Sequence, residues 1–390
     1  MDRPALRRVL LALVGTDPAT LPQGLRPDDW TEIDRIAAQH RLQPFLHSQH
    51  QGSTAIPLAQ REAWQAARRV AALQALAQQA ELTETCALLD SAGFAPVALK
   101  GAWLAAQAYA EPALRPMRDL DLLVPEGDVL AAFDLLRNAG YEQARPGEMA
   151  LADAVRIDKH LPPLIAPRGT VIELHHRLWE RQGRLDHASP ASSEAGVLAR
   201  ARTVGTVRYP DPHDLLVHLI VHAVYSHRLD CGPLVLIDID MLLRSAAIDW
   251  PRFWAEAKAE GWRDGARLLL ELVRRYRPSP AIDTAPDRGE APPPAMIEAA
   301  ADLLLQDMDS RASASFAASA IKSGPARIIA RLSGQPGVSG EAAARRDLTS
   351  EGGFLGWAGS RLSRSLRDLA RGDVRRQARQ LAALSRWLDR

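Results

Sequence analysis

Lysine is nearly missing from this chain: of 48 basic residues only four are lysines, Lys100, Lys159, Lys258 and Lys322, and the other 44 are arginines. Over most of a chain such a skew is a matter of codon composition. It nevertheless makes each surviving lysine a place to ask whether a compact ammonium is wanted. An excess of charge is also missing, since 48 basic residues face 47 acidic ones for a net charge of +1. That balance excludes a globally basic nucleic-acid binder and leaves only local charge to carry function. Cysteine is scarce too. Cys86 and Cys231 lie far apart, outside any CxxC or Cys/His spacing, which excludes a disulfide framework and a zinc finger and predicts buried thiols in a reducing cytoplasm. No apolar run approaches the roughly 18 residues of a membrane span. The run Val9 to Gly15 is short and lacks a small-x-small cleavage site, and Leu6, Val9, Leu10, Leu13 and Val14 fit one helix face. The reading is a soluble cytoplasmic protein.

What is present is ordinary globular material, 47% hydrophobic and 24% charged over 390 residues, enough for two or three packed units. Residues 1–92 read as a helical region, with a turn-rich break at 16–28, a helix over 29–50 and a long one from Leu58 to Ala92 whose Ala, Leu, Gln and Glu are strong helix formers. The period then changes. Strands are predicted at Phe94–Leu99, Asp119–Val124, Tyr141–Ala144 and Val171–Arg177, with short helices from Gly101 to Tyr109 and from Asp128 to Asn138, the latter stopped at Gly140. Residues 93–180 therefore form an α/β core. Residues 181–277 form a helical domain closing a cleft on it, 278–341 a Pro/Gly/Ser-rich linker with a short helix, and 342–390 an Arg-rich tail ending in an amphipathic helix from Leu362 to Leu388.

The run Leu114-Arg-Pro-Met-Arg-Asp-Leu-Asp-Leu-Leu-Val124 carries the most chemistry. Side chains alternate along a strand, so Asp119 and Asp121 share one face while Leu120 and Leu122 enter the core. Two adjacent carboxylates repel unless a cation lies between them, and hard oxygen ligands suit Mg²⁺. In Val171-Ile-Glu-Leu-His175 the same alternation puts Glu173 and His175 on one face, so pairing of this strand beside the first completes a three-carboxylate cluster. The turn Leu99-Lys-Gly-Ala-Trp103 offers Gly101 for close backbone approach, free N–H groups at a helix start and the Lys100 ammonium. Arg115 and Arg118 add planar forks at the mouth of the Asp strand. His218 and His222, four apart on an apolar helix, have zinc spacing without the HExxH glutamate or a third ligand, so they are read as cleft or structural residues. Asp238 and Asp240 cannot share a helix face.

The order strand, Lys-Gly turn, helix, Asp-x-Asp strand and later Glu strand resembles the DNA polymerase β-like nucleotidyltransferase superfamily. Leu99-Lys-Gly-Ala, Leu114 to Val124, Gly140-Tyr141, Ile172-Glu-Leu-His175, Asp214-Leu-Leu-Val-His-Leu-Ile-Val-His222 and Leu236-Ile-Asp-Ile-Asp240 resemble the bacterial "uncharacterised nucleotidyltransferase" family, over roughly residues 80–265. The resemblance implies an α+β fold with a mixed sheet flanked by helices. It implies Asp119, Asp121 and Glu173 as catalytic residues and ligands of two Mg²⁺ ions, with Mn²⁺ a substitute, and Lys100 and Gly101, with Arg115 and Arg118, as the nucleotide and phosphate grip. It departs in having Lys before the first glycine, Ala102 after it and a longer gap to Asp119. The implied reaction moves a nucleoside monophosphate, from ATP, to a hydroxyl-type acceptor on a peptide, protein, saccharide or other small molecule. The alternative is a catalytically degenerate nucleotide-sensing or partner-binding protein on the same fold, using the Arg-rich tail (Arg361, Arg364, Arg371, Arg375, Arg379) as its contact.

Overall fold

The computed structural model describes residues 1–15, 24–144, 150–179, 193–285, 289–308, 311–323 and 371–390. The chain begins with four helices, α1 (Arg3–Val14), α2 (Pro27–Gln39), α3 (Gln43–His50) and α4 (Leu58–Ser91). The single helix expected over 29–50 is broken into α2 and α3. Pro44 has no N–H to donate to the carbonyl four residues back, so the helix cannot run through. It closes instead with Arg41 in the left-handed region (φ 57°), where Arg41 N–H donates to Ala38 C=O at 3.0 Å and Leu42 N–H to Ala37 C=O at 2.9 Å. The break expected at 16–28 falls largely outside the described residues.

Seven strands form one mixed sheet in the order β3-β4-β5-β2-β1-β7-β6. They are β1 (Val97–Ala98), β2 (Asp119–Leu123), β3 (Glu142–Gln143), β4 (Leu164–Ile165), β5 (Val171–His175), β6 (Arg202–Val204) and β7 (Val207–Tyr209). Between them run α5 (Gly101–Trp103), continued by a π-helical turn over Leu104–Ala108, α6 (Val129–Asn138), α7 (Leu151–Ile157) and α8 (Glu194–Arg200). The first expected strand is cut to two residues because Ala95 takes a positive φ. The hairpin β6–β7, turning at Gly205 (φ 62°), was not expected. Since β7 pairs parallel with β1, the sheet continues past residue 180 into the stretch assigned to the helical domain.

The remaining helices are α9 (Pro212–Val221), continued by a π-helical turn over His222–Ser226, α10 (Leu234–Ser245), α11 (Trp250–Ala259), α12 (Arg263–Tyr276), α13 (Pro280–Asp283), α14 (Pro294–Leu304), α15 (Arg311–Ser323) and α16 (Gly372–Leu388). The expected linker thus carries α13, α14 and α15. The tail helix begins at Gly372, and residues 362–370, with Arg361 and Arg364, lie outside the described ones. α16 packs on α14 and α15 and buries Val374, Ala378, Leu381 and Leu388. Ala378 and Leu381 belong to the same apolar core as Leu10 of α1, Leu120 of β2 and Leu236 of α10. Arg375 and Arg379 stay exposed on the other face. Among the described residues no helix is long and apolar enough to cross a membrane.

Candidate active site

β2 and β5 pair in parallel with Asp121 opposite Glu173 and Leu123 opposite His175. Leu120, Leu122, Ile172 and Leu174 are buried beneath, so the polar face of both strands floors a cleft of about 790 Å³ lined by Asp119, Asp121 and Glu173. The pairing that the sequence left conditional is present. His175 Nε2 lies 2.9 Å from Asp121 Oδ1 and 3.4 Å from Glu173 Oε2, and His160 Nε2 stands 3.7 Å from Glu173 Oε2. On the other side Lys100 Nζ donates to Asp121 Oδ2 at 2.9 Å.

These contacts push the carboxylates apart in acidity. Burial opposes ionisation of Asp121, but the Lys100 and His175 charges outweigh it and hold this carboxyl well below the usual range. Asp119 goes the other way, raised by burial and then by the negative charges of Asp121 and Glu173. Burial of Glu173 is overcome by hydrogen bonding from His175 and by the charge of His160, which hold its carboxyl below the usual carboxylate range. His175, against its own burial, is raised by Asp121. The cleft floor is an acidic cluster in which Asp119 is the carboxylate least compensated by positive charge.

The turn after β1 brings the phosphate candidates alongside. Leu99 N–H donates to Asp121 C=O at 2.9 Å, Lys100 takes φ 43°, and Gly101 opens α5. A Cβ at Gly101 would meet Arg115 Nη1 at 2.5 Å, so glycine is required for the guanidinium to approach this closely. Arg115 is not free at the mouth of the strand. Its Nε and Nη2 donate to Asp238 of α10 at 3.2 and 2.9 Å, and Tyr109 Oη donates to the same carboxylate at 2.7 Å. Arg118 is exposed and reaches the carbonyl of Gln39 at 3.4 Å.

The opposite walls come from beyond the core. α2 and the turn after it contribute Gln39, His40 and Arg41, the α9–α10 segment contributes His222, His227, Asp230 and Asp238, and Arg311 of α15 closes one side. His222 lines the cleft, whereas His218 sits behind it against the edge of Trp179, ring centroids 5.2 Å apart. His218 Nε2 and His222 Nδ1 are buried without hydrogen-bond partners among the described residues. Burial, followed by the Lys100 charge, holds both imidazoles neutral. Asp238 and Asp240 do face apart, Asp238 toward Arg115 and Asp240 toward Arg277. Sequence reasoning missed Arg41 and the anchoring role of Asp238. An arginine where a helix stop favours glycine was the one local signal for the former.

Donor atoms of Asp121, Glu173 and His175 all lie within 4.8 Å of one another. Two carboxylates with an imidazole, next to a third carboxyl raised by burial and then by their charge, form a donor set that fits a divalent cation. His175 thus joins Asp121 and Glu173 in this cluster, with Asp119 lining the same cleft floor. The family model of uncharacterised nucleotidyltransferases matches residues 26–278, well over half of the chain. No curated protein and no solved structure matches it.

Proposed function

The chain belongs to the uncharacterised nucleotidyltransferase family, a family of transferases, and from that premise we propose that it moves a nucleoside monophosphate from ATP onto a hydroxyl-type acceptor, releasing pyrophosphate. The observation that carries this reading is the register of β2 on β5, which sets Asp121 beside Glu173 at the floor of a cleft whose edge holds Lys100 and Gly101. Asp119, Asp121 and Glu173, joined by His175, would hold Mg²⁺, two ions in the full site with Mn²⁺ as a substitute. Bound there, the metal would neutralise triphosphate oxygens and acidify the acceptor hydroxyl.

The chain's own groups do the rest. Lys100 exchanges its contact with Asp121 for a phosphate oxygen, and the Gly101 backbone gives the triphosphate close approach. Arg115, held by Asp238, whose carboxylate also receives the Tyr109 hydroxyl, keeps a fixed donor beside Gly101. Glu173, hydrogen-bonded to His175, accepts the acceptor proton as the new O–P bond forms and the bond to the departing pyrophosphate breaks. The acceptor enters past His222, between the sheet and α9–α10, and its peptide, saccharide or other character is set there.

A nucleotide-sensing role draws on one observation, the Lys100–Asp121 ion pair, which already supplies a cation to the carboxylates. Labelled ATP with Mg²⁺ and pooled acceptors separates the two readings. Pyrophosphate release that is lost in Asp119→Ala and Asp121→Asn supports transfer. Tight ATP binding without turnover in the wild type supports sensing.

A further inference from the structure

The cleft holds two guanidinium groups without a carboxylate partner among the described residues, Arg41 and Arg118. Arg115 has Asp238, Lys100 has Asp121 and Arg311 has Asp230. Arg41 comes from the N-terminal helices, far in sequence from the α/β core. Its Nη1 donates to Pro116 C=O at 3.2 Å, just ahead of β2, and its Nε is buried with no hydrogen-bond partner among the described residues. Burial, and then the like charges of Arg118 and Arg115, lower its guanidinium to about 10. The charges of Asp119 and Asp238 offset part of this crowding of three cations without overcoming it, and a polyanion placed among them would offset the rest.

The backbone points the same way. Arg41 is the residue that ends α2 with φ 57°, a helix stop at which glycine is the ordinary choice and a side chain costs roughly 1 kcal/mol. A cost carried at a cleft wall by a residue with an unused donor is a sign of function there.

We propose that Arg41, with Arg118 and Arg115, forms a binding subsite for the terminal phosphates of the nucleoside triphosphate, so that the N-terminal helical region completes the grip begun by Lys100 and Gly101. The subsite rests on the nucleotidyltransferase reading and extends it to a residue outside the α/β core. Planar forks suit phosphate oxygens in a way ammonium groups do not, and Gln39, whose carbonyl receives Arg118, ties the α2 end to the same loop.

Calorimetric titration of the full-length protein with inorganic tripolyphosphate, alongside MgATP, tests this. Arg41→Gln and Arg41→Gly are expected to weaken tripolyphosphate binding at least about tenfold, and Arg41→Lys less. Arg41→Gly separates ligand binding from folding, because glycine removes the backbone cost and is expected to melt no lower than wild type. Wild-type affinity in both the Gly and Gln variants overturns the subsite while leaving the transfer reading intact. A wild-type protein that binds neither tripolyphosphate nor MgATP overturns that reading and the subsite with it.

Discussion

Lys100 Nζ stands 2.9 Å from Asp121 Oδ2, so one of only four lysines in the chain neutralises the most acidic carboxyl of the cleft floor. A compact ammonium makes this contact as a point charge, whereas a guanidinium is a larger planar fork. The contact makes Lys100 a competitor of any divalent cation for Asp121 and a reserve of positive charge for a triphosphate.

Lys100→Met is therefore expected to act with opposite signs on two measurements. Mn²⁺ binding without nucleotide tightens, because Asp121 loses its resident cation. Turnover falls on the order of 100-fold, because the phosphates lose theirs. Lys100→Arg is expected to stay well below wild-type turnover, and full activity in it would remove the case for an ammonium.

Asp238 fixes Arg115 through two hydrogen bonds and receives a third from Tyr109. Asp238→Asn keeps the shape and removes the charge, leaving a guanidinium in a buried setting without its counter-ion. Unfolding in urea should show a loss of roughly 3 kcal/mol. Steady-state kinetics should show a higher KM for ATP, as Arg115 no longer holds one orientation beside Gly101.

His40 is a buried member of the cleft wall, and burial, followed by the charge of Arg7, lowers its imidazole to about 4. The unfolded chain keeps a value near 6.5 and so binds more protons than the native state between pH 6.5 and 4. Stability is full above pH 6.5 and is lost as pH falls through this window, by about 1.4 kcal/mol per pH unit for this one group. Urea midpoints at pH 7.5, 6 and 5 measure the slope, and His40→Gln should flatten it.

Arg277 ties three distant segments together. Its Nε donates to Asp240 at 2.7 Å and its Nη1 to the carbonyl of Val14 and the amide oxygen of Gln49, with Arg277 and Asp240 both buried. Arg277→Ala leaves the Asp240 carboxylate with only Arg244 and Ser279 among the described residues. A loss of about 3–5 kcal/mol in denaturant unfolding is expected, and its absence would mean that water replaces the guanidinium.

The amino-acid sequence by itself determined what short-range periodicity can encode. Alternation of Asp119, Leu120, Asp121 and Leu122 sets carboxylates on one face and leucines on the other whatever the strand pairs with, and the same holds for Glu173 and His175. The Lys100–Gly101 turn was legible for a similar reason, since a glycine at a strand-to-helix turn has a local meaning. Signals for β6 and β7 were present in Val204-Gly-Thr-Val207 but too short to stand out among helices.

Tertiary structure alone decided which groups meet. Arg115 and Asp238 are 123 positions apart and Arg41 and Pro116 are 75 apart. Neither pairing leaves a periodic trace, because each arises when separate apolar faces are buried against one core and carry their polar ends to a shared cleft. The approach of His175 to both Asp121 and Glu173 was decided in the same way, by the register of β5 on β2. A sequence states the face on which a side chain lies. Its partner is chosen by the packing that hides the opposite face from water.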